Sequence, residues 1–247
     1  LSIAIVVGAR SAAGCILWSA AVALPAPGAY VDPMIRPSRN TIAGVVLAGG
    51  LSRRMGGGDK GLLGLGSGTM LDAVLARLAP QVASVVLNAN GDPTRFAELG
   101  LPVVPDPIEG FVGPLAGVLA GMRWAAGRPP ITHVLSVSSD APFLPADLAE
   151  RLAERLPPTS HGIAIARSGG ELHPVIGLWP VALADDLEAA LRDGVRKVLA
   201  WTDRHGTLPV DFPMLTTPAG VVDPFFNANT PAELDEARRL LASLGTP

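Results

Sequence analysis

Two kinds of group in this sequence suit the handling of a polyphosphate: cations in a glycine-rich loop, and single carboxylates and amides at the ends of apolar runs. The loop is Gly44–Lys60, GVVLAGGLSRRMGGGDK. It starts as a short apolar strand, Val45-Val46-Leu47, and opens into a turn with Gly49, Gly50, Gly56, Gly57 and Gly58. Glycine lets a backbone bend sharply and bring its N–H groups close to a ligand. Successive N–H groups in such a bend make an anion-binding concavity. Arg53, Arg54 and Lys60 add positive charge, and the arginine fork suits bidentate phosphate contact. An ordinary glycine-rich surface turn with solvated arginines is the plainer alternative. Two familiar phosphate loops do not match. A P-loop needs a hydroxyl residue after its lysine, and Lys60 is followed by Gly61. Nor does Gly49–Arg54 fit the dinucleotide pattern of three spaced glycines.

The second kind of group recurs downstream. Asp140 ends VLSVSSD, an apolar strand pattern. A carboxylate at the mouth of a buried strand near a phosphate loop suits Mg²⁺, which takes one or two carboxylates plus phosphate oxygens and water. The alternative for Asp140 is capping the helix that follows. Asp106 ends LPVVPD in the same way, with a turn role in PDP as its alternative. Asn88, near the end of VASVVLNAN, offers a donor and an acceptor to ribose, base or substrate, or else forms a turn. His173, in SGGELHP, is a candidate substrate contact or an incidental surface histidine.

These groups need a scaffold that brings strand ends together, and the chain supplies one. Strand patterns at 44–48, 82–90, 101–106 and 132–140 alternate with helical patterns at 69–80, 94–99, 113–126 and 145–156. The 113–126 helix is rich in Gly and Ala and suits tight packing on a sheet. Such alternation predicts an α/β fold, a doubly wound, mostly parallel sheet covered on both faces. Ligands of such sheets sit at the carboxyl ends of the strands. The glycine loop, Asn88, Asp106 and Asp140 all fall there, so one crevice can hold them. After residue 157 the pattern changes. Strands at 162–167 and 175–179 flank SGGELHP and read as a hairpin-like insertion forming a second wall. Helices at 181–192 and 194–203, a strand at 208–212 and a final helix at 231–244 complete the chain. Thr230 is positioned as the N-cap of that last helix, with Pro231 first and Glu233 third.

Composition narrows the class. The 247 residues fit one α/β domain plus appendages. Cys15 is the only cysteine, so no internal disulfide and no Cys-based metal site exists. The net charge of −3 argues against a nucleic-acid partner. His133, His161, His173 and His205 lack metal-ligand spacing.

Residues 1–33 differ from the rest. Arg10 is the only charge between Leu1 and Val31, and Ser11–Leu24 is uncharged. The stretch has the form of a secretory signal with Ala-x-Ala at Ala21–Ala23. A membrane span is marginal because Arg10 interrupts the run. The preferred reading is an apolar leader outside the fold, a translated upstream extension with Met34 as the natural start. A phosphate loop needs cytoplasmic nucleoside triphosphate, so the expected location is the cytoplasm, with no membrane partner.

The loop LAGGLSRRMGGGDKGLL resembles the L-A-G-G-x-S-x-R-M-G-x-D-K-x-L-L segment of the molybdenum cofactor guanylyltransferases. Gly57 and Gly58 are a small departure. VVLNAN, GPLAG at 113–117, SSDAPFLP at 138–145 and FFNANTPAEL at 225–234 are similar to family segments in the same order, from Ile42 to about Leu241. The family often has another residue, such as Cys, where Ser139 stands. The resemblance implies one nucleotidyltransferase domain over 41–244. It implies GTP contacts at Leu47, Ala48, Gly49, Lys60, Asn88, Asp106 and Asp140, with Gly50, Arg53 and Arg54 in the phosphate loop. It also implies Mg²⁺ on Asp140, catalytic roles for Lys60 and Asp140, and His173 on the pterin side. The reaction implied is attack of the terminal phosphate of molybdenum-molybdopterin on the α-phosphate of GTP, with loss of pyrophosphate. Cofactor-delivery and molybdoenzyme chaperone proteins would be its protein partners. Related cytidylyl and sugar-phosphate transferases share the outline of the loop, usually with L-A-A-G. They remain an alternative, as does a GTP-binding protein without turnover.

Overall fold

The structure, a computed structural model, describes residues 36–49, 59–110, 113–157 and 161–244. The leader and three expected loop residues, Gly50, Arg53 and Arg54, lie outside the described residues.

In chain order the elements are β1 (Ile42–Leu47), a two-rung hairpin of β2 (Gly64–Leu65) and β3 (Gly68–Thr69), α1 (Met70–Leu78), β4 (Ser84–Asn88), a 3-10 segment Pro93–Leu99 and β5 (Val103–Val104). Next come α2 (Pro114–Ala126), β6 (His133–Ser138), α3 (Leu148–Arg155), β7 (Ile163–Ser168), β8 (Glu171–Pro180), α4 (Ala184–Arg192) and α5 (Val198–Thr202). The last are β9 (Thr207–Phe212), a hairpin of β10 (Leu215–Thr217) and β11 (Gly220–Val222), and α6 (Pro231–Ser243).

Seven strands form the main sheet in the order β5-β4-β1-β6-β8-β7-β9. Only β8 runs against its neighbours β6 and β7; the other pairings are parallel. The chain builds outward from β1 to β4 and β5, then crosses back to place β6 on the other side of β1. The strand order therefore reverses around β1, where open α/β sheets bind ligands.

Residues 162–179 do form a hairpin, but it is part of the main sheet and not an insertion. They are β7 and β8, inside the main sheet, with Leu135 of β6 opposite Leu178 of β8. The reason is burial: Ile163, Ala164, Ile165, Ile176, Leu178 and Trp179 are buried on strands that need cover on both faces. A projecting hairpin would leave many of them in water. Trp179 Nε1 donates to Ser136 Oγ at 2.7 Å, and that hydroxyl donates to Val175 O at 2.6 Å, tying β8 to β6 through a satisfied polar group. The strand also starts earlier than expected, at Glu171. Gly169 and Gly170 take φ of +55° and +88°, so a two-residue turn closes with Ser168 opposite Glu171.

The sheet separates two apolar cores. Ile42 and Val46 of β1 point to the layer of α1 and α3, and Ala43 and Val45 to the layer of α2, α4 and α5. Alternation of side chains along a strand produces this division. Two glycines let α2 lie unusually close to the sheet. A Cβ on Gly121 would stand 2.8 Å from Val45 Cβ, and one on Gly117 would stand 2.7 Å from Leu47 Cδ2. α6 packs Leu234, Ala237 and Leu240 into a smaller cluster with Leu65, Met70 and Phe143. Its start is the expected one: Glu233 N donates to Thr230 Oγ1 at 3.2 Å, with Pro231 at the first helical position.

Candidate active site

Four parallel strands end in register. Val104 lies opposite Asn88, Asn88 opposite Leu47, and Leu47 opposite Ser138. Two residues beyond that row stand Asp106, Asn90, Gly49 and Asp140. Parallel pairing thus converts residues far apart in sequence into a line of polar groups along one sheet edge. With the start of α2 they enclose a cavity of about 390 Å³. All seven expected nucleotide contacts, Leu47, Ala48, Gly49, Lys60, Asn88, Asp106 and Asp140, line it. Asn90, Gly117, Ser138 and Val175 line it too.

On one side of the cavity is a fixed carboxylate. Asp106 Oδ1 accepts from Asn88 Nδ2 at 3.0 Å, and Oδ2 accepts from Asn90 Nδ2 at 2.7 Å. Asp106 N donates to Asn90 Oδ1 at 2.9 Å, so Asn90 grips both the backbone and the side chain of Asp106. Asn88 Nδ2 also reaches Val104 O at 3.2 Å. The amide of Asn88 was expected to offer a ligand both a donor and an acceptor. Its donor end is instead spent inside the protein. Its Oδ1 accepts no hydrogen bond from the described residues and faces the start of α2.

On the other side are the opposite charges. Asp140 is 7% exposed; Ser138 Oγ donates to its Oδ1, and Lys60 Nζ lies 3.5 Å from its Oδ2. Lys60 Nζ donates to Asn229 Oδ1 at 2.6 Å. Asn229 precedes the N-cap of α6, and its own N donates to Glu233 Oε2 at 2.8 Å. The backbone of the same segment reaches Asp140, since Ala228 N donates to Asp140 O at 3.2 Å. The two ionic groups are therefore held by a segment from the far end of the chain. Asp140 is not the N-cap of α3; Asp147 holds that position.

Three residues of this site escape a reading by local pattern. Asn90 is visible only as the second asparagine of LNAN. Asn229 is visible only as part of FFNANT. Arg95 gave no signal. Its Nε donates to Asp59 Oδ2 at 2.5 Å and its Nη2 to Asn90 O at 2.7 Å. It pins the residue before Lys60 to the end of β4.

His173 stands apart from this lining, in β8. Its Nε2 is 2.6 Å from Ser168 Oγ, and its ring lies 4.7 Å from that of Phe225. Burial lowers its pKa, opposed by the charges of Asp223 and Glu171.

The donor set at Asp140 fits a hard divalent cation. It is one carboxylate at the cavity wall beside a hydroxyl, and such an ion completes its shell with water and phosphate oxygens. A carboxylate edge suited to such an ion, with a lysine in reach, can stabilise charge on a phosphoryl group in transfer.

Residues 44–208 match the MobA-like NTP transferase domain. A molybdenum cofactor guanylyltransferase of Mesorhizobium japonicum is 50% identical over 207 residues, covering 83% of this chain and 99% of that protein. One from Rhizobium meliloti is 52% identical over 203 residues, covering 81% and 92%. Among solved structures, molybdopterin-guanine dinucleotide biosynthesis protein A of Archaeoglobus fulgidus has a similar fold, with a TM-score of 0.62, 24% identity and coverage of 81% of this chain and 98% of that one. A Mycobacterium tuberculosis protein solved in complex with manganese is similar at a TM-score of 0.53 and 20% identity, covering 82% and 99%.

Proposed function

The chain belongs to the MobA-like NTP transferase family, and from that premise we propose that it transfers GMP from GTP to the terminal phosphate of molybdenum-molybdopterin, releasing pyrophosphate. One observation carries the site assignment: seven residues spread from position 47 to position 140 line a single cavity, with Lys60 and Asp140 3.5 Å apart on its wall. Residues 41–244 form the nucleotidyltransferase domain. The cytoplasm, where GTP is available, is its place of work. Among the described residues no helix is long and apolar enough to cross a membrane.

The reaction forms one P–O bond and breaks another at the α-phosphorus, and its proton ledger is light because the attacking phosphate is already anionic. Positioning and charge stabilisation therefore carry catalysis. Asp140 would hold Mg²⁺, which supplies charge neutralisation at the phosphate oxygens when bound. Lys60 brings a cation that a neutral Asn229 carbonyl holds without cancelling its charge. Asp106, fixed by two asparagines, presents a carboxylate whose orientation is settled before ligand arrives. Asn88 Oδ1 offers a lone acceptor to a ligand donor. Gly50, Arg53 and Arg54 add phosphate-binding groups to the loop, and His173 belongs to the pterin side. Cofactor-delivery and molybdoenzyme chaperone proteins are the expected protein partners.

Pyrophosphate release tests the proposal, with molybdopterin-bearing substrate, Mg²⁺, and GTP, CTP, ATP or UTP in parallel. Release with GTP alone is expected. Release with CTP would move the chain to a cytidylyl transferase. Tight GTP binding without release would leave a binding protein.

Gly117 supplies a sharper test of the nucleotide side. A Cβ there would stand 2.3 Å from Asn88 Oδ1, far inside contact distance. Gly117→Ala is expected to displace the Asn88 amide, loosen Asp106 and raise KM for GTP about tenfold. Overpacking of about 1–3 kcal/mol would lower Tm by a few degrees. Gly121→Ala is the control. Its clash is with Val45 in the core, so it should lower Tm similarly and leave KM within about twofold.

A further inference from the structure

Ser168, His173 and Asp223 form a hydrogen-bonded group that the reaction as described does not use. Ser168 sits at the end of β7 and is 2% exposed. Its hydroxyl lies 2.7 Å from Asp223 Oδ1 and 2.6 Å from His173 Nε2. A serine has one hydrogen to give. A carboxylate is acceptor-only, so that hydrogen goes to Asp223, and His173 must donate through Nε2–H. The result is a directed chain, His173 to Ser168 to Asp223.

The chain ends on a turn. Asp223 Oδ1 also accepts from Phe225 N at 2.8 Å, and Asp223 O accepts from Phe226 N at 3.0 Å. The Phe225 ring is held between His173, at 4.7 Å, and Phe212, edge-on at 5.2 Å. Three and four residues after Phe225 this segment delivers Ala228 N to Asp140 O and Asn229 Oδ1 to Lys60 Nζ. So few residues leave little freedom between the two points. Where the turn sits determines where Lys60 and Asp140 are held.

We infer that Ser168, His173 and Asp223 are positioning residues, a latch that sets the 225–229 segment so that Asn229 and Ala228 hold Lys60 and Asp140 in catalytic register. The inference deepens the transfer reaction proposed above and rests on it. In this role His173 acts through Ser168 and Phe225, beside its place on the pterin side.

The test is a mutant cycle in the full chain. Ser168→Ala is expected to lower kcat about tenfold while KM for GTP changes less than about twofold, because a small misplacement acts on the transition state. Asn229→Ala removes the downstream contact itself. If the latch acts through Asn229, the double variant is no slower than Asn229→Ala alone. Two losses that multiply, or a Ser168→Ala enzyme with unchanged kcat, would overturn the inference. Asp223→Ala, which removes the acceptor of both Ser168 Oγ and Phe225 N, takes the place of Ser168→Ala in the cycle if that variant does not fold. A chain that releases no pyrophosphate from GTP would defeat the transfer reading and still leave the latch measurable. The side-chain amide signal of Asn229 in a ¹H–¹⁵N spectrum, assigned by its loss in Asn229→Ala, should then shift in the upstream variant. An unmoved signal would overturn the latch.

Discussion

Asp140→Asn is expected to abolish pyrophosphate release, by at least about 10³-fold, while the protein stays folded. The substitution keeps the size of the side chain and removes its charge. The turn around it is held by backbone: Asp140 O accepts from Ala228 N at 3.2 Å, and Ser139 N donates to Leu47 O at 3.1 Å, neither of which the change touches. Ser138 Oγ can donate to an amide oxygen as it does to the carboxylate. What is lost is the negative charge at the cavity wall, 3.5 Å from Lys60, that would anchor a divalent cation. A titration of Mg²⁺ or Mn²⁺ against turnover, beside a thermal melt, checks the claim. Tm should move by only a few degrees and excess metal should not restore the rate. A variant that folds and retains more than about a tenth of the activity would remove Asp140 from the metal role.

The polar residues along this sheet edge are legible in the sequence for a physical reason. A parallel sheet gathers its ligands at the carboxyl ends of strands, and VLSVSSD, LPVVPD and VVLNAN announce those ends locally through an apolar run and a polar stop. Asp140, Asp106 and Asn88 were legible for that reason. The direction in which each side chain is used was not. Asn88 spends its donor on Asp106, 18 residues away, and no local pattern encodes that choice. Asn229 meets Lys60 across 169 residues, and Arg95 meets Asp59 across 36. Such contacts exist only once the fold does. The same applies to β8. Its apolar residues were readable as a strand, but its place between β6 and β7 depends on pairing with Leu135, on an element it does not adjoin in sequence. The charged SGGELHP stretch suggested an excursion from the domain. In the structure only Gly169-Gly170 makes the turn, and Glu171 already pairs with Ser168.

Lys60→Gln is the second substitution with a large expected effect, a fall in kcat/KM of about 10²–10³-fold. Lys60 is half-buried between a carboxylate and an amide oxygen, with Nζ 2.6 Å from Asn229 Oδ1 and 3.5 Å from Asp140 Oδ2. The closer partner is neutral, so Asp140 alone offsets the ammonium charge, and an ammonium has three donors to share. A phosphate oxygen arriving in the cavity can take the remaining one without displacing Asn229. Glutamine retains a hydrogen-bonding head and loses the charge, which separates electrostatics from packing. Lys60→Arg should recover little, because a planar guanidinium cannot occupy the point between Asn229 and Asp140 that an ammonium fills. The ordering of variants is the decisive reading. Asn229→Ala leaves the cation in place and loosens its aim, so it should cost about tenfold, well short of Lys60→Gln. Steady-state kinetics with GTP on the three variants gives that order directly. If Asn229→Ala is as damaging as Lys60→Gln, then Asn229 acts on substrate itself and Lys60 is its support; the observed order assigns the working charge to one or the other.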